Sequence, residues 1–322
     1  MHIGAHKTGS TAIQYVLSEN RERFKEVGIL VPDAGRPVSA PRGNHELAWA
    51  IYRDRSLLNT WNDLAIETAE SGLKIIVVSS EEFDRATKEN VDEIRKLTNA
   101  YDTTVLLYIR RQVDSCEAFY RTIVEHYGYA RSIREYAEEH VSNFDCYNII
   151  RRWASVFPHD RLIVRLYSPN TLINGDIIDD FFYVLRIEKH RIPKLPGVTI
   201  NHGLPAIAIT LIRLLSKHRY PKDVIKDFRM WSYRNLCDLN LKYTFLNPTE
   251  SRSIMKRFEV TNREIRDQYF PDRPEELFDP FTDSERFDMD DFDRIPELKI
   301  KVQKFFDERG IKLSKEVADF LS

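Results

Sequence analysis

Residues 4–11 read Gly-Ala-His-Lys-Thr-Gly-Ser-Thr, a set of types whose spacing suits the capture of a compact anion. Two glycines five positions apart let the backbone turn tightly around a small group. Ser10 and Thr11 then place hydroxyls in the first turn of a following helix. In the nucleoside-triphosphatase pattern G-x-x-x-x-G-K-[ST] a lysine follows the second glycine, but here that position is Ser10 and the lysine lies inside the turn as Lys7. The displaced lysine predicts a phosphate compound other than a magnesium-held triphosphate. Three more groups of residues are able to do chemistry with a bound anion. Arg110-Arg111 offers fixed positive charge, Glu81-Glu82 offers paired carboxylates, and His45, in Gly-Asn-His-Glu, offers an imidazole base.

The elements that must position these groups are legible as an alternation. Residues 1–5 read as a strand running straight into the glycine loop. A helical pattern follows over 11–27, with Ile13, Val16, Leu17, Phe24 and Val27 near one face and Gly28 at its end. A short strand is expected at 29–31, then a loop rich in Pro, Gly and Arg over 32–43. A helix from His45 passes through Trp49 and Tyr52, and another ends at Gly72. Residues 74–80 and 104–109 are continuous apolar runs of the kind parallel strands buried on both faces require. Glu81 and Glu82 follow the first of these runs, and Arg110 and Arg111 follow the second. A polar helix is expected near 89–100, a helix carrying Phe119, Tyr120, Ile123 and Val124 after Arg111, and a strand at 161–167. From about residue 200 the pattern turns helical. Strand and helix alternation predicts an α/β fold with a mostly parallel sheet. Trp153 and Phe157, four apart on a helix, read as core.

The stretch H-I-G-A-H-K-T-G-S-T-A-I-Q, residues 2–14, resembles the 5′-phosphosulfate-binding loop of sulfotransferases that use 3′-phosphoadenosine 5′-phosphosulfate. The resemblance implies a three-layer α/β sandwich with a central, mostly parallel sheet, related to P-loop nucleoside kinases, with a helical C-terminal part. It implies that His6, Lys7, Thr8, Gly9, Ser10 and Thr11 hold the 5′-phosphosulfate, with Lys7 on the sulfate and the bridging oxygen. A second stretch, Y-I-R-R-Q-V-D-S-C-E-A-F-Y at 108–120, resembles the family's 3′-phosphate segment, with Arg110 matching its arginine. The family's serine eight residues later is Ala118 here. Ser115, one helical turn earlier on the same face, would supply the hydroxyl instead. The implied general base follows the preceding central strand, where Glu81 and Glu82 stand, and His45 competes for that role. Ser80 is a further sulfate contact by resemblance.

The likeness is clear over 1–130, continues through 161–167, and beyond 200 is confined to segments such as 258–263. It is nearest to bacterial members, which often act on carbohydrate or lipid-linked hydroxyls; the arginine-lysine-glycine segment of animal cytosolic members is not visible. The expectation is one domain over 1–322, with a nucleotide-binding core at 1–170 and a mostly helical part at 200–322. It would transfer a sulfuryl group to a small-molecule or glycan hydroxyl without metal or redox cofactor. Two alternatives stay open: a kinase using ATP and magnesium, and a nucleotide-binding module without catalysis, to which Ala118 lends weight.

The whole chain sets outer bounds. Its 322 residues, 42% hydrophobic, suffice for a packed core, and 48 basic against 50 acidic side chains leave no field to attract nucleic acid. No apolar run reaches the length of a membrane span, no secretory leader is expected, and three cysteines without C-x-x-C spacing predict reduced thiols in a cytoplasmic protein. Residues 272–296, with ten acidic residues against three arginines, read as a solvated surface stretch.

Overall fold

A computed structural model describes residues 1–188, 203–236, 244–273, 276–281 and 296–321. The chain divides into two compact units. The first comprises Met1–Arg111, Asp145–Ile200 and Thr261–Phe278; the second comprises Gln112–Phe144, Asn201–Val260 and Asp279–Ser322. Cys237 and most of the acidic stretch at 272–296 lie outside the described residues.

The first unit mixes helices with parallel strands. Strand β1 (Ile29–Leu30) pairs in parallel with β2 (Ile75–Ile76), and β3 (Val105–Ile109) pairs in parallel with β4 (Leu162–Leu166). His2 forms parallel bridges to both Ser79 and Leu106. Main-chain hydrogen bonds extend these contacts: Val77 N–H donates to Leu30, His2 to Val78, Ser80 to His2, and Ile3 to Leu106, each at 2.9–3.0 Å. All five residues of β3 are buried, as its apolar run requires. The run at 74–80 differs from expectation at its start, because Ile75 is exposed and burial begins at Val77.

The helix expected over 11–27 is two helices, Ser10–Glu19 and Arg21–Glu26. Asn20 separates them. Its side-chain amide joins its own main-chain N–H on the Val16 carbonyl, and its backbone, at φ −113° and ψ 22°, leaves the helical region. The first helix buries Ile13, Val16 and Leu17 against Val77, Leu106, Phe181 and Phe182 in one apolar cluster. Inside it, the fully buried Asp180 accepts hydrogen bonds from Tyr108 Oη at 2.8 Å, Arg165 Nε at 3.0 Å and Ile173 N–H at 3.1 Å. That satisfied carboxylate ties the helix Ile177–Val184 to β3 and β4. Trp153 and Phe157 are core residues, stacked with ring centroids 5.6 Å apart.

The second unit is helical in its described residues. Gln112–Tyr127, Ala206–Lys217, Lys222–Asn235 and Pro296–Asp307 contribute to one apolar cluster. Ala206–Lys217 is buried nearly all round, which accounts for its run of Ile, Ala and Leu. Among the described residues no helix is long and apolar enough to cross a membrane.

Candidate active site

Residues 4–11 leave the bridge at His2 and lead into the helix Ser10–Glu19. Three of them have left-handed backbone: Gly4 at φ 59°, Lys7 at 69° and Gly9 at 85°. At Gly4 a side chain is excluded twice over, since a Cβ there would stand 2.8 Å from that of Glu81. Lys7 is the non-glycine exception. It bears the ordinary strain of a left-handed residue, of about 1 kcal/mol.

Internal bonds hold the turn. The Thr8 hydroxyl is fully buried and donates to the Ala5 carbonyl at 2.6 Å, while Ala5 N–H returns a bond at 3.3 Å. Thr8 therefore offers an anion its main-chain N–H and not its hydroxyl. Among the described residues the N–H groups of Thr8, Gly9, Ser10 and Thr11 donate to no protein acceptor. Ser10 Oγ is buried without a partner, 5% of its residue being exposed, and stands near the position a Gly4 Cβ would take. A buried hydroxyl and a row of open N–H groups at a helix start are the donor set an anion fills.

Arg110 directly follows β3 and stands beside the loop, its Nη1 donating to the Lys7 carbonyl at 3.2 Å. Its guanidinium lies 5.6 Å from the centre of the Tyr167 ring, and Tyr167 also packs against Gly9. Ser115 lies in the second unit, buried on the helix Gln112–Tyr127.

Glu81 and Glu82 begin a short turn, Glu81–Arg85, whose start Ser80 caps by accepting the Glu82 N–H. They point into different company. Glu82 accepts the Tyr52 hydroxyl at 2.7 Å and lies 3.7 Å from His6 Nε2. Burial alone would raise its carboxyl, but the nearby His6 imidazole and the bond from Tyr52 hold it far below the usual carboxylate range. Glu81 accepts one bond from Gln14 Nε2 at 2.6 Å and lies 3.9 Å from His45 Nδ1.

His45 is buried. Its Nδ1 is 2.8 Å from Ser80 Oγ and its ring stacks on Trp49. The preceding Asn44 fixes it, exchanging bonds with the main chain of Ser79 and donating to the Pro32 and Ala34 carbonyls. A Cβ at Gly43 would strike the imidazole at 2.5 Å. The Ser80 hydroxyl is thus engaged by His45 and Glu82.

His6 ties the loop to the turn Glu81–Arg85. Its N–H and Nδ1 both donate to Asp84 Oδ2, at 2.9 and 2.6 Å. Burial disfavours its charge, yet Asp84 and Glu82 prevail and raise the imidazole to about 9.

The first unit thus brings His6, Lys7, Thr8, Gly9, Ser10, Thr11, His45, Glu81, Glu82 and Arg110 into one neighbourhood of linked contacts. Sequence reasoning missed Gln14, Tyr52, Asp84 and Tyr167. Gln14 carried a usable signal, a polar residue at i+4 from Ser10 on the buried face of its helix. Asp84 carried another, as the third acid of the Glu81–Arg85 turn. Tyr52 and Tyr167 carried none.

No family model matches the chain. It is 22% identical over 250 residues to a protein of Archaeoglobus fulgidus described as uncharacterised, a match covering 75% of this chain and 68% of that one. Among solved structures it is similar to a sulfotransferase from Alicyclobacillus acidocaldarius, with a TM-score of 0.39 and 16% identity over 70% of this chain and 96% of that one. A likeness at that level leaves function to be argued from the site.

Proposed function

We propose that this chain is a sulfotransferase moving a sulfuryl group from 3′-phosphoadenosine 5′-phosphosulfate to a hydroxyl of a small-molecule or glycan acceptor, carbohydrate or lipid-linked. The observation that carries the reading is the loop at 4–11. It joins open N–H groups and the partnerless buried Ser10 Oγ to a lysine inside the turn, with no lysine after Gly9. On this reading the hydrogen-bonded segments of the first unit form one parallel sheet, in the order β1, β2, residues 1–3, β3, β4. The loop then leaves the C-terminal edge of the middle segment, where α/β folds of the P-loop kind bind ligands.

In the proposed reaction Lys7, Thr8, Gly9, Ser10 and Thr11 hold the 5′-phosphosulfate, and Arg110 takes the 3′-phosphate. The acceptor oxygen forms its bond to sulfur as the bond from sulfur to the 5′-phosphate oxygen breaks. The acceptor proton passes to a carboxylate, and 3′,5′-adenosine bisphosphate leaves with the electron pair. Lys7 stabilises charge growing on the departing oxygen. Glu81 is the base we assign. The Glu82 carboxyl is committed to His6 and Tyr52 and held too acidic to compete, whereas Glu81 stands beside Gly4 and Ser10 with a single bond from Gln14. His45 lies close enough to Glu81 to orient it. His6 faces Asp84 and Glu82, which makes it a support of the loop and not a ligand of the donor.

Calorimetric titration with 3′,5′-adenosine bisphosphate, run beside ATP with magnesium, tests the reading. Micromolar binding of the bisphosphate with ATP much weaker is expected. A preference for ATP with magnesium would replace the reading with a kinase.

A further inference from the structure

We propose that His6, Asp84 and Glu82 form an ionic latch that keeps the loop at 4–11 in its anion-binding shape, so that donor affinity depends on a proton carried by His6. The inference rests on the donor reading above and adds a pH-dependent control to the same site.

The geometry carries it. Asp84 Oδ2 takes two bonds from one residue, the main-chain N–H and the ring Nδ1 of His6. The other ring nitrogen, Nε2, faces Glu82 Oε1 at 3.7 Å. A neutral imidazole donates from one nitrogen only, so a ring set between two carboxylates is satisfied as the imidazolium. The Glu82 carboxylate and the main chain of Asp84 are braced from behind. Tyr52 Oη donates to Glu82, Arg85 Nη1 stands 3.8 Å from it, and Arg152 Nη2 donates to the Asp84 carbonyl at 2.6 Å. Glu82, Asp84 and Arg85 of the turn Glu81–Arg85 act on the ring directly, and Tyr52 of the helix His45–Tyr52 and Arg152 of the helix Cys146–Ala154 stand behind that turn.

The residue after His6 is Lys7, left-handed and so in need of neighbours that hold it there. His6 fixes the chain on one side of that peptide, and Arg110 fixes the Lys7 carbonyl on the other. Removal of the His6 proton would loosen the latch and leave Asp84 and Glu82 with less positive charge to balance them beside a loop that must receive an anion. His6 is therefore a positioning residue.

The test is titration of 3′,5′-adenosine bisphosphate into the full chain, as wild type, His6→Gln, His6→Arg and Asp84→Asn, at about pH 7.5 and about pH 9.5. With the imidazole titrating near 9, wild-type affinity should weaken about fourfold over that range, following the fraction of chains still protonated. His6→Gln should bind about tenfold more weakly with no pH slope, and His6→Arg, permanently charged, should recover affinity with no slope. Asp84→Asn should weaken binding and move the falling limb toward neutrality. Wild-type affinity in both His6→Gln and Asp84→Asn, or an unchanged slope in His6→Gln, would overturn the latch while leaving the donor reading intact. Absence of bisphosphate binding in the wild type would instead sink the donor reading and the latch with it. Should Asp84→Asn fail to fold, the profiles of wild type and His6→Arg still decide.

Discussion

The loop neighbourhood of the first unit and the helical core of the second are stabilised in opposite ways. Around residues 4–11 the buried groups are polar, and nearly every one is matched to a particular partner: Thr8 to Ala5, Gln14 to Glu81, Ser80 to His45. In the second unit Phe228, Phe305 and Phe306 are buried in mutual ring contact, with centroids 5.1–5.4 Å apart. Dispersion and apolar burial depend on volume and ask little of chemical identity. Hydrogen bonds between buried groups depend on each atom, and losing one leaves its partner unsatisfied. The second unit should therefore tolerate conservative change, whereas the loop should tolerate almost none.

Substitutions of opposite severity at one core position give the largest effect. Phe228→Ala should destabilise by about 3–5 kcal/mol, while Phe228→Leu costs about 1. Trp231, stacked on Phe228, provides a fluorescence signal for the unfolding midpoint. Near-equal costs for the two variants would mean that this core is specified by ring geometry, and the contrast with the loop would narrow.

Next in size is Lys7→Ala, which should reduce donor turnover about 10²–10³-fold with stability almost unchanged. Turnover here is bisphosphate released from the phosphosulfate donor in the presence of mixed hydroxyl acceptors. A near-normal rate would remove Lys7 from the chemistry. Arg110→Ala should then weaken bisphosphate binding by about tenfold or more, the usual worth of a charge-assisted phosphate contact together with loss of support for the Lys7 carbonyl. Retained affinity would place the 3′-phosphate elsewhere.

How much of this the sequence disclosed follows from the same contrast. The helix His45–Tyr52 and the all-buried β3 were legible because they depend on periodicity and apolar runs. The loop was legible because glycine spacing and a displaced lysine are local features. The break at Asn20 was not, since an amide that caps a carbonyl looks like any polar residue on the outer face of a helix. Nor was the difference between Glu81 and Glu82, which are adjacent and chemically near-identical. It arises from Tyr52, 30 positions before Glu82, and from His6, 76 before it, partners that only the fold brings near. The extent of the strand at 74–80 was overestimated because composition cannot tell a buried run from one whose first residues reach solvent.

Two histidines four residues apart reduce the contrast to a pair of side chains, with the smallest expected effect. His2 is fully buried between Tyr108 and Phe181, and burial lowers it to about 3; His6, in the latch, is raised to about 9. Both begin from 6.5 in the unfolded chain, so they shape stability on opposite sides of neutrality. The His6 contribution is fully present below 6.5 and is lost as pH rises through about 9, because only the folded state holds its proton there. His2 acts in the other direction: below 6.5 the unfolded chain takes a proton that the folded one refuses, so stability declines as pH falls toward 3. The alkaline limb should amount to about 1–2 kcal/mol once partial solvent screening of His6 is allowed for. Thermal melts across pH should show His6→Gln flattening the alkaline limb alone. Carboxylates such as Glu82 also lose their stabilising bonds in acid, so His2→Gln should flatten the acid limb only in part. If His6→Gln left the alkaline limb in place, the charge that stabilises the fold above neutrality would reside in another group, and the loop would owe its shape to its other hydrogen bonds, Thr8 to Ala5 and Arg110 to Lys7.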